Sequence, residues 1–340
     1  MPRISVLCAF HNRAALVRRT LAGLAAQTER DIEFVILDDA SQDDTAAQIG
    51  AFLETAGDAR FRFIRHARNL GLTRGLIGAL AASDSEFVAI HDAGDYSLPE
   101  RMTLQCAALQ SDTGLVVTGS HYLNLVEPTG LGRLRRPDAG RATAASLLRD
   151  PCFTHGEVMF RRSAYAAAGG YRAAFRYAQD NDLWLRMIAL GRFHTVPQLL
   201  YLRCIQFDGI SYAPDSFARQ SAFFVLGKRL ARGQAGAEVL EALQRGTDIF
   251  ALLPRSDPEV QRVIRRGALR ALAFGAAAQA RGIAAHVSDP RWRRALAAMA
   301  AAATTRPGRT ALRLAWRAAG WHRAPAAIGQ MRRAEAGQTP

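Results

Sequence analysis

The sequence predicts an α/β fold: a mostly parallel sheet with flanking helices, followed by an α-helical C-terminal region. Apolar runs of strand length alternate with helix-like segments as far as residue 120, which is typical of parallel strands joined by crossover helices. These runs have no polar side, as expected of strands that are covered on both faces. Beyond residue 213 the segments are helical and rich in Ala, Leu and Arg.

In the first part of the chain, strands and helices are expected to alternate. Strands are predicted over 4–10, 33–37, 61–64 and 86–90, and helices over 13–27, 45–55 and 71–82. Asn12 is a candidate N-cap of the first helix. Ser97, Pro99 and Glu100 have the spacing of a capping box before a helix over 102–109.

The regular alternation ends after a predicted strand over 115–120, where an Arg-, Pro- and Gly-rich loop is expected over 127–141. The elements expected after this loop are a strand over 157–161, a turn at Gly169 and Gly170, a helix over 180–190 and a strand over 199–205. The sequence contains no internal repeat of fixed period.

The length allows two domains, or one large α/β domain with an appendage, and the charge divides the chain into two regions. The chain has 340 residues, 49% of them hydrophobic, which is enough for two buried cores and excludes a disordered chain. Residues 1–213 hold 23 Lys plus Arg and 22 Asp plus Glu, whereas residues 214–340 hold 21 and 8, so nearly all of the net charge of +14 lies in the second region. We therefore expect a nearly neutral α/β domain over 1–213 and a basic helical region over 214–340.

Four carboxylates follow two of the predicted parallel strands: Asp38 and Asp39 after one, Asp92 and Asp95 after the other. Ligands of open α/β sheets bind beyond the carboxyl ends of the strands, so these are candidate binding residues. Clustered carboxylates repel one another unless a cation or hydrogen-bond donors lie among them, and a polyphosphate ligand with Mg²⁺ or Mn²⁺ would supply the cation. The alternative is that Asp38, Asp39 and Asp95 cap turns or helices.

The sequence has no glycine-rich phosphate loop, neither GxGxxG after the first strand nor GxxxxGK[ST] anywhere. This absence disfavours dinucleotide-dependent dehydrogenases and P-loop enzymes. A bound nucleotide would instead be held by carboxylates, a metal ion and cationic side chains such as Arg68 or Arg74.

The segment ISVLCAFHNRAALVRRTLAGLAAQTERDIEFVILDDASQDDT, residues 4–45, resembles the start of the family 2 glycosyltransferases of GT-A fold. It has His11 where the family usually has Tyr, Ala9 where Pro is frequent and Ala40 in place of Gly. Further blocks that resemble the family are NLGL at 69–72, HDAGDYSLPERM at 91–102, VMFRRSAYAAAGGY at 158–171 and QDNDLWLRM at 179–187. Together they cover about residues 3–212.

The resemblance implies a hexosyltransferase-like enzyme that moves a sugar, with inversion, from a nucleotide diphosphate sugar to a hydroxyl of a saccharide or lipid-linked acceptor, in bacterial polysaccharide or glycoconjugate synthesis. The residues that it implies for nucleotide-sugar binding are Ala9, His11, Asn12, Asp38, Asp39, Asn69, Arg74 and Asp92. Asp92 and Asp95 would lie beside the diphosphate and its divalent cation. Asp180 would be the general base that deprotonates the acceptor.

Three further side chains, His155, Asp182 and Trp184, are candidates for contact with the acceptor or the sugar. Trp184 would stack on a sugar, with a core position as an equal alternative, and a structural role is the alternative for His155. Asp182 and Arg186 are four residues apart on one predicted helix and would form a bracing pair.

The predicted metal site departs from the family pattern. The usual Asp-x-Asp reads DAG at 92–94, so Asp95 would have to supply the second carboxylate, and dependence on Mn²⁺ or Mg²⁺ is less strongly implied. Where many relatives carry a His near the diphosphate, this sequence reads RCIQ at 203–206. Gln206 is a poorer metal ligand than an imidazole.

The basic region is expected to form amphipathic helices with arginine-rich faces. The arginines concerned are Arg262, Arg265, Arg266, Arg291, Arg293, Arg294, Arg309, Arg313 and Arg317. Such helices bind anionic membrane surfaces, which would suit a lipid-linked acceptor, and a solvated face of a small helical subdomain is the alternative. Nucleic-acid binding is disfavoured because interleaved aromatic residues are missing.

Localisation is predicted from the cysteines and the hydropathy. The four cysteines show no CxxC pairing, and no window approaches about 18 consecutive apolar residues. We therefore expect a cytoplasmic protein without a membrane span, peripheral on the inner face of the membrane.

Two other functions stay open. A sugar nucleotidyltransferase of related fold would need a Gly-rich, Lys- or Arg-containing signature near the first strand, and that signature is missing. A non-catalytic nucleotide-sugar-binding protein is favoured by the carboxylate that is lost at Gly94. It is disfavoured by the presence of Asp180 within its Asn-Asp-Leu-Trp-Leu-Arg context.

Overall fold

A computed structural model describes residues 2–209 and 212–336, without the side chains of Pro128, Arg309, Arg313 and Glu335. Arg309 and Arg313, two arginines of the predicted basic faces, therefore lie outside the described side chains. The strands are β1 (Ile4–Phe10), β2 (Ile32–Asp38), β3 (Phe61–Arg65), β4 (Phe87–Asp92), β5 (Tyr96–Ser97), β6 (Leu115–Val126), β7 (Leu131–Arg135), β8 (Met159–Arg161), β9 (Arg192–Cys204) and β10 (His322–Arg323).

The five α-helices that have predicted bounds begin and end within four residues of them, and fifteen α-helices in all occur among the described residues. They are α1 (Val17–Ala25), α2 (Thr45–Ala56), α3 (Leu72–Ala81), α4 (Arg101–Ser111), α5 (Ala144–Arg149), α6 (Arg162–Ala167), α7 (Gln179–Met187), α8 (Pro214–Ala231), α9 (Ala237–Gln244), α10 (Ile249–Leu252), α11 (Pro258–Ala273), α12 (Ala277–Ala285), α13 (Pro290–Ala302), α14 (Arg306–Ala318) and α15 (Pro325–Glu335). None of the helices in the described part of the chain is both long and apolar enough to cross a membrane.

The chain separates into two compact units. The first comprises the described residues up to Ala173, Leu183–Cys204 and those from Ala324 onward, and the second comprises Ala174–Asp182 and the described residues of Ile205–Arg323. The boundary crosses α7, and α15 belongs to the first unit, where Met331 packs with Leu125 and Leu202. The division into domains at residue 213 stays a prediction.

The first unit is built on a mixed sheet with the strand order β7, β6, β8, β4, β1, β2, β3, in which β9 lies beside β6 and β5 beside β9. The pairs β1 with β2, β1 with β4, and β2 with β3 are parallel, which confirms the predicted centre of the sheet. β8 is antiparallel to both β4 and β6, and β7 is antiparallel to β6. The predicted loop over 127–141 therefore contains a strand.

Both faces of the parallel centre are buried, as the uninterrupted apolar runs predict. Alternate residues of β1 face opposite ways: Ile4, Val6 and Cys8 pack in a core with α1, α2 and α4, whereas Leu7 packs in a core with α3 and α7. Because these strands are parallel, their carboxyl ends lie at one edge of the sheet.

Two predicted helix caps are wrong. Asn12 adopts a positive φ of 53°, and its Oδ1 accepts a hydrogen bond from the Gln42 backbone at 2.8 Å instead of capping α1. Ser97 lies on β5, and its hydroxyl accepts a hydrogen bond from Arg101 Nη1 at 3.0 Å. A capping box occurs later, where Thr143 and Ser146 begin α5.

The second unit consists of helices whose starts follow helix-capping rules. The Asp257 and Asp289 side chains accept hydrogen bonds from the first turns of α11 and α13, and each is followed by a proline at the first helical position. Pro258 and Pro290 therefore mark the starts of α11 and α13.

Ala40 occupies a backbone conformation that favours glycine, with a φ of +57° immediately after the Asp38 and Asp39 pair. We expect Ala40→Gly to raise the free energy of unfolding by about 1 kcal/mol, because an L side chain is strained in the left-handed region. Denaturant melts of the wild type and the variant measure this change. Ala51→Gly, on the exposed side of α2, is the control and should lower stability by about 1 kcal/mol. Destabilisation by both substitutions would contradict the argument.

Candidate active site

The carboxyl ends of β1, β2 and β4 lie side by side. Phe10 of β1 pairs with Asp38 of β2, and Ala9 of β1 pairs with Asp92 of β4. The residues that follow these positions are therefore brought to one edge of the sheet, as the sequence predicts.

Asp39 organises the loop that follows β3. Its carboxylate accepts hydrogen bonds from the backbones of Leu70 and Gly71, both at 2.8 Å, and lies 2.9 Å from His66 Nδ1. The side chain is buried. Asp39 therefore positions the exposed Asn69 segment, and its polar atoms are largely used within the protein.

Asp38 is fully buried beneath this edge. Its Oδ1 accepts a hydrogen bond from the Ser41 backbone at 3.2 Å, and its Oδ2 lies 3.4 Å from Arg65 Nε. These contacts hold the turn after β2. Burial corrects the prediction for Asp38, because a side chain with 0% exposure does not contact a nucleotide directly.

His11 and Asn69 form the exposed polar part of this edge. His11 Nδ1 lies 2.9 Å from the carbonyl oxygen of Asp39, and the Asn69 amide lies 3.2 Å from His11 Nδ1. Asn12 is exposed beside His11, and Arg74 is exposed on α3, just after the Asn69 loop. These four residues, together with the half-buried Ala9, keep their predicted role as candidate donor contacts.

Asp92, at the end of β4, is the accessible carboxylate of the predicted metal pair, with 42% of its side chain exposed. Its Oδ1 lies 3.6 Å from His155 Nδ1, and His155 Nε2 lies 2.9 Å from the Tyr171 hydroxyl. Desolvation raises the pKa of Asp92, but the hydrogen bond and charge of His155 and the charge of Arg203 outweigh it and lower the pKa below its usual value. Asp92 is therefore kept ionised.

Asp95 is buried and its two oxygens are already occupied. The Tyr201 hydroxyl donates to Oδ2 at 2.7 Å, and the Cys204 backbone donates to Oδ1 at 2.8 Å. Desolvation and the negative charge of Asp92 raise the pKa of Asp95 to about 7. This arrangement does not favour Asp95 as the second metal ligand that the sequence predicts.

The raised pKa of Asp95 predicts a pH dependence of stability. Since the folded state holds a proton that the unfolded carboxyl releases near pH 4, the contribution of Asp95 is present at low pH and is lost as pH rises towards 7. We expect Asp95→Asn to remove this decline. Denaturant melts at several pH values from 4 to 8, compared with Asp84→Asn on the exposed loop before β4, measure it. An unchanged slope would contradict the protonation of Asp95.

A buried polar network, which the sequence does not predict, supports this side of the site. Arg101 has no exposed surface, donates to the Ile90 and Val158 carbonyl oxygens at 2.9 and 3.3 Å, and lies 4.8 Å over the Tyr201 ring. The Tyr201 hydroxyl accepts a hydrogen bond from the Asp92 backbone at 3.3 Å. Arg101 and Tyr201 therefore fix the end of β4.

Gly156 permits the close approach of His155 to Asp92. A Cβ atom at Gly156 would lie 2.2 Å from the Tyr201 hydroxyl oxygen and 2.9 Å from Asp92 Cγ. Only glycine therefore fits between these two side chains. The HG pair at 155–156 is the sequence signal for this contact, although the residue pattern by itself points only to His155.

In the second unit, Asp180 lies in the first turn of α7 and is half-buried. Within the described residues its carboxylate has no hydrogen bond or ion pair with protein. Ala178, two residues earlier, has a positive φ of 53°, a strained conformation for alanine that turns the chain into the helix. The fold therefore presents a carboxylate whose oxygens are left for a ligand.

The other two candidates on α7 are buried. Trp184 is 1% exposed, belongs to the core of the first unit and makes an edge contact with Phe160 at 5.9 Å. Stacking of Trp184 on a sugar is therefore wrong, and the core position is the correct alternative. Asp182 is 3% exposed, so its predicted contact with the acceptor is not supported. Arg186, its predicted partner, donates to the Ala168 carbonyl oxygen.

A divalent cation fits this site only if a bound diphosphate supplies the further ligands. Within the described residues, no group of three or more His, Cys, Asp and Glu side chains could hold a metal ion. Asp92 offers one ionised and accessible carboxylate. Since Mg²⁺ is often bound by one or two carboxylates together with substrate phosphates, the residues fit a cation shared between Asp92 and a diphosphate.

The fold is that of the GT-A glycosyltransferases. Two solved structures with this fold cover most of the chain: the mannosyltransferase PcManGT from Pyrobaculum calidifontis, in complex with GDP-Man and Mn²⁺, and TarS from S. aureus, in complex with UDP. The first is 19% identical, with a TM-score of 0.55, and the match covers 92% of this chain and 83% of that one. The second is 15% identical, with a TM-score of 0.53, and covers 87% and 88%.

Residues 5–169 match the family model of glycosyl transferase family 2. The chain is 28% identical over 203 residues to EpsE of Bacillus subtilis, named as a glycosyltransferase, covering 59% of this chain and 72% of that protein. It is 33% identical over 134 residues to AmsE of Erwinia amylovora, the amylovoran biosynthesis glycosyltransferase, covering 39% and 48%. These matches support a glycosyltransferase of family 2, as the sequence resemblance implies.

Proposed function

We propose that this enzyme transfers a sugar, with inversion, from a nucleoside diphosphate sugar to a hydroxyl of a saccharide or lipid-linked acceptor. The observation that carries the proposal is the Asp180 carboxylate, which has no partner among the described residues and lies directly after a strained turn. Structural strain and unused polar groups concentrate at functional sites. Two solved relatives in fold bind GDP-Man and UDP-GlcNAc, which supports a nucleotide-sugar donor.

Asp180 is the general base of the proposed reaction. Its carboxylate accepts the proton of the acceptor hydroxyl while the hydroxyl oxygen attacks the anomeric carbon from the face opposite to the diphosphate. The bond to the diphosphate breaks as the new glycosidic bond forms. One displacement inverts the anomeric configuration, so a single positioned carboxylate is sufficient.

The donor lies along the edge formed by β1, β2 and β4. His11, Asn12 and Asn69 contact the nucleoside, on a loop that Asp39 holds through two backbone hydrogen bonds. The exposed Arg74 supplies a cation for the phosphates.

The diphosphate lies beside Asp92 and Arg203. His155 keeps Asp92 ionised, so that Asp92 can hold Mn²⁺ or Mg²⁺, which when bound offsets the charge of the departing diphosphate. Arg203 lies two residues after Tyr201 on the same face of β9, and its positive charge helps to lower the pKa of Asp92. Arg203 is therefore a second source of positive charge at the leaving group, a role that no sequence motif predicts.

A thermal-shift screen of nucleoside diphosphates and nucleotide sugars, with and without Mn²⁺, tests the donor site. We expect one base to raise the melting temperature, and Mn²⁺ to increase the shift. NMR of the glycoside product then tests the stereochemistry, since inversion requires the opposite anomer to that of the donor. A product that retains the donor configuration would exclude the single displacement.

We further propose that the product is a bacterial polysaccharide or glycoconjugate and that the second unit contacts an anionic membrane on its cytoplasmic face. The name of AmsE, an amylovoran biosynthesis glycosyltransferase, supports the first statement. The second rests on α13, where Trp292 and Met299 are seven residues apart and 46% and 49% exposed. The exposed Arg291, Arg293 and Arg294 lie beside Trp292. Apolar side chains beside arginines are typical of helices that lie on anionic lipid.

Vesicle sedimentation tests this membrane contact. We expect binding to phosphatidylcholine vesicles that contain phosphatidylglycerol and none to phosphatidylcholine alone, because the arginines need anionic lipid. Trp292→Ser combined with Met299→Ser should lower the partition coefficient about tenfold, since both apolar side chains lose burial in the lipid. Leu134→Ser, at an exposed leucine of the first unit, is the matched control. Equal binding to both kinds of vesicle would refute the proposal.

A further inference from the structure

The second unit contains a pocket of about 290 Å³ that the donor site does not use. Its floor is apolar and buried and is formed by Ala174, Phe223, Leu243 and Ile249. The ring of Tyr177 packs at one side, 5.8 Å from that of Phe223. An aromatic and apolar floor of this size suits the carbon face of a single sugar ring rather than a long chain.

The rim of the pocket is polar, and much of it is unused by the protein. Among the described residues, the Arg176 guanidinium, the Tyr177 hydroxyl and the Thr247 hydroxyl make no hydrogen bond or ion pair. Arg219, also on the rim, is paired with Asp248 and is therefore neutralised. Arg176 is left as an uncompensated positive charge above an apolar floor.

Chain connectivity places this pocket near the proposed base. Tyr177 precedes Asp180 by three residues, so their Cα atoms are at most about 11 Å apart. Both lie in the second unit, in the segment Ala174–Asp182. A sugar bound at Tyr177 is therefore within roughly two ring lengths of the carboxylate that accepts the acceptor proton.

We propose that this pocket is an acceptor subsite and that the acceptor is a saccharide bearing an anionic group, a carboxylate or a phosphate, which Arg176 binds. This proposal rests on the proposed function, in that it takes Asp180 as the base. Every residue that lines the pocket lies beyond residue 169, where the match to the family model ends, so that match does not imply the acceptor preference.

Saturation-transfer NMR with small glycosides tests the subsite without requiring turnover. The probes are methyl glucuronide, glucose 6-phosphate and the neutral methyl glucoside. We expect the wild type to bind one or both anionic probes, and whichever of the two binds names the acidic group. Arg176→Gln should weaken anionic binding at least tenfold, and Thr247→Trp, which fills the rim, should abolish it. Arg281→Gln, at an exposed arginine of α12, is the matched control and should bind as the wild type does.

Each outcome decides the proposal. Absence of binding by both anionic probes, or binding that survives both Arg176→Gln and Thr247→Trp, would overturn the subsite. Binding of methyl glucoside as tight as that of the anionic probes would overturn the assignment of an acidic acceptor. Circular dichroism of each variant confirms folding. Because nucleotide-induced thermal shifts and turnover of Asp180→Asn are measured separately, failure of the proposed transfer reaction is distinguishable from failure of this pocket.

Discussion

Asp180→Asn is expected to lower kcat for sugar transfer by roughly 10³-fold and to leave nucleotide binding unchanged. An amide of the same shape cannot accept the proton of the acceptor hydroxyl, so attack on the anomeric carbon loses its base. Since the Asp180 carboxylate makes no hydrogen bond or ion pair among the described residues, the substitution should cost little stability. Steady-state kinetics with saturating donor measures kcat, and a nucleoside diphosphate thermal shift measures donor binding.

Asp215→Asn is the matched control for this experiment. Asp215 is also an acidic residue in the first turn of a helix of the second unit, but it is 90% exposed and lies 3.2 Å from His286 Nε2. Its replacement should change kcat less than twofold. If Asp180→Asn turns over as the wild type does, the base is another group and the inverting mechanism must be assigned anew.

The centre of the fold was predictable because its signal is local. β1, β2 and β4 are apolar runs buried on both faces, and their observed bounds lie within two residues of the predicted ones. The length of β9 was not predictable from periodicity. It begins seven residues before the predicted strand and contains Pro197, and it is held by pairing with β6, about 75 residues earlier in the chain.

The candidate site was predictable as a set of positions but not as a set of roles. Motif order identifies Asp38, Asp92 and Asp95 together, whereas burial separates them into a turn residue, an accessible carboxylate and a buried hydrogen-bond partner of Tyr201. The contact between Asp95 and Tyr201 joins residues that are 106 positions apart. No local pattern reveals such a contact, which depends on the register of β5 against β9.

Gly156 shows the same limit for a single residue. In the sequence it is one glycine among 28, in a segment without a regular period. Its importance comes from two side chains of β4 and β9 that meet at its Cα. Tertiary contact, and not backbone conformation, therefore requires glycine here.

Asp92→Asn is the second substitution with a large expected effect, a fall in kcat/KM of roughly 10²-fold with little change in stability. The variant loses the one accessible carboxylate at the end of β4, and with it the charge that would hold a cation beside the diphosphate. The increase that Mn²⁺ brings to the nucleoside diphosphate thermal shift should therefore disappear. Asp84→Asn, at an exposed aspartate of the same unit, should retain both properties.

His155→Gln tests whether the reaction requires the ionised form of Asp92, because this variant keeps the Asp92 side chain and changes only its pKa. The hydrogen bond and charge of His155 lower the pKa of Asp92, so their removal raises that pKa, and a larger fraction of Asp92 is then protonated at a given acidic pH. We expect the acid limb of the kcat/KM profile to move to higher pH in His155→Gln, with activity recovering as pH rises. A uniform loss of activity at every pH would instead assign His155 a purely structural role through its Tyr171 contact. Asp92→Asn removes the titrating group, so the kcat/KM profile of this variant should lack the acid limb. Together the two variants identify Asp92 as the carboxylate whose ionisation the reaction requires.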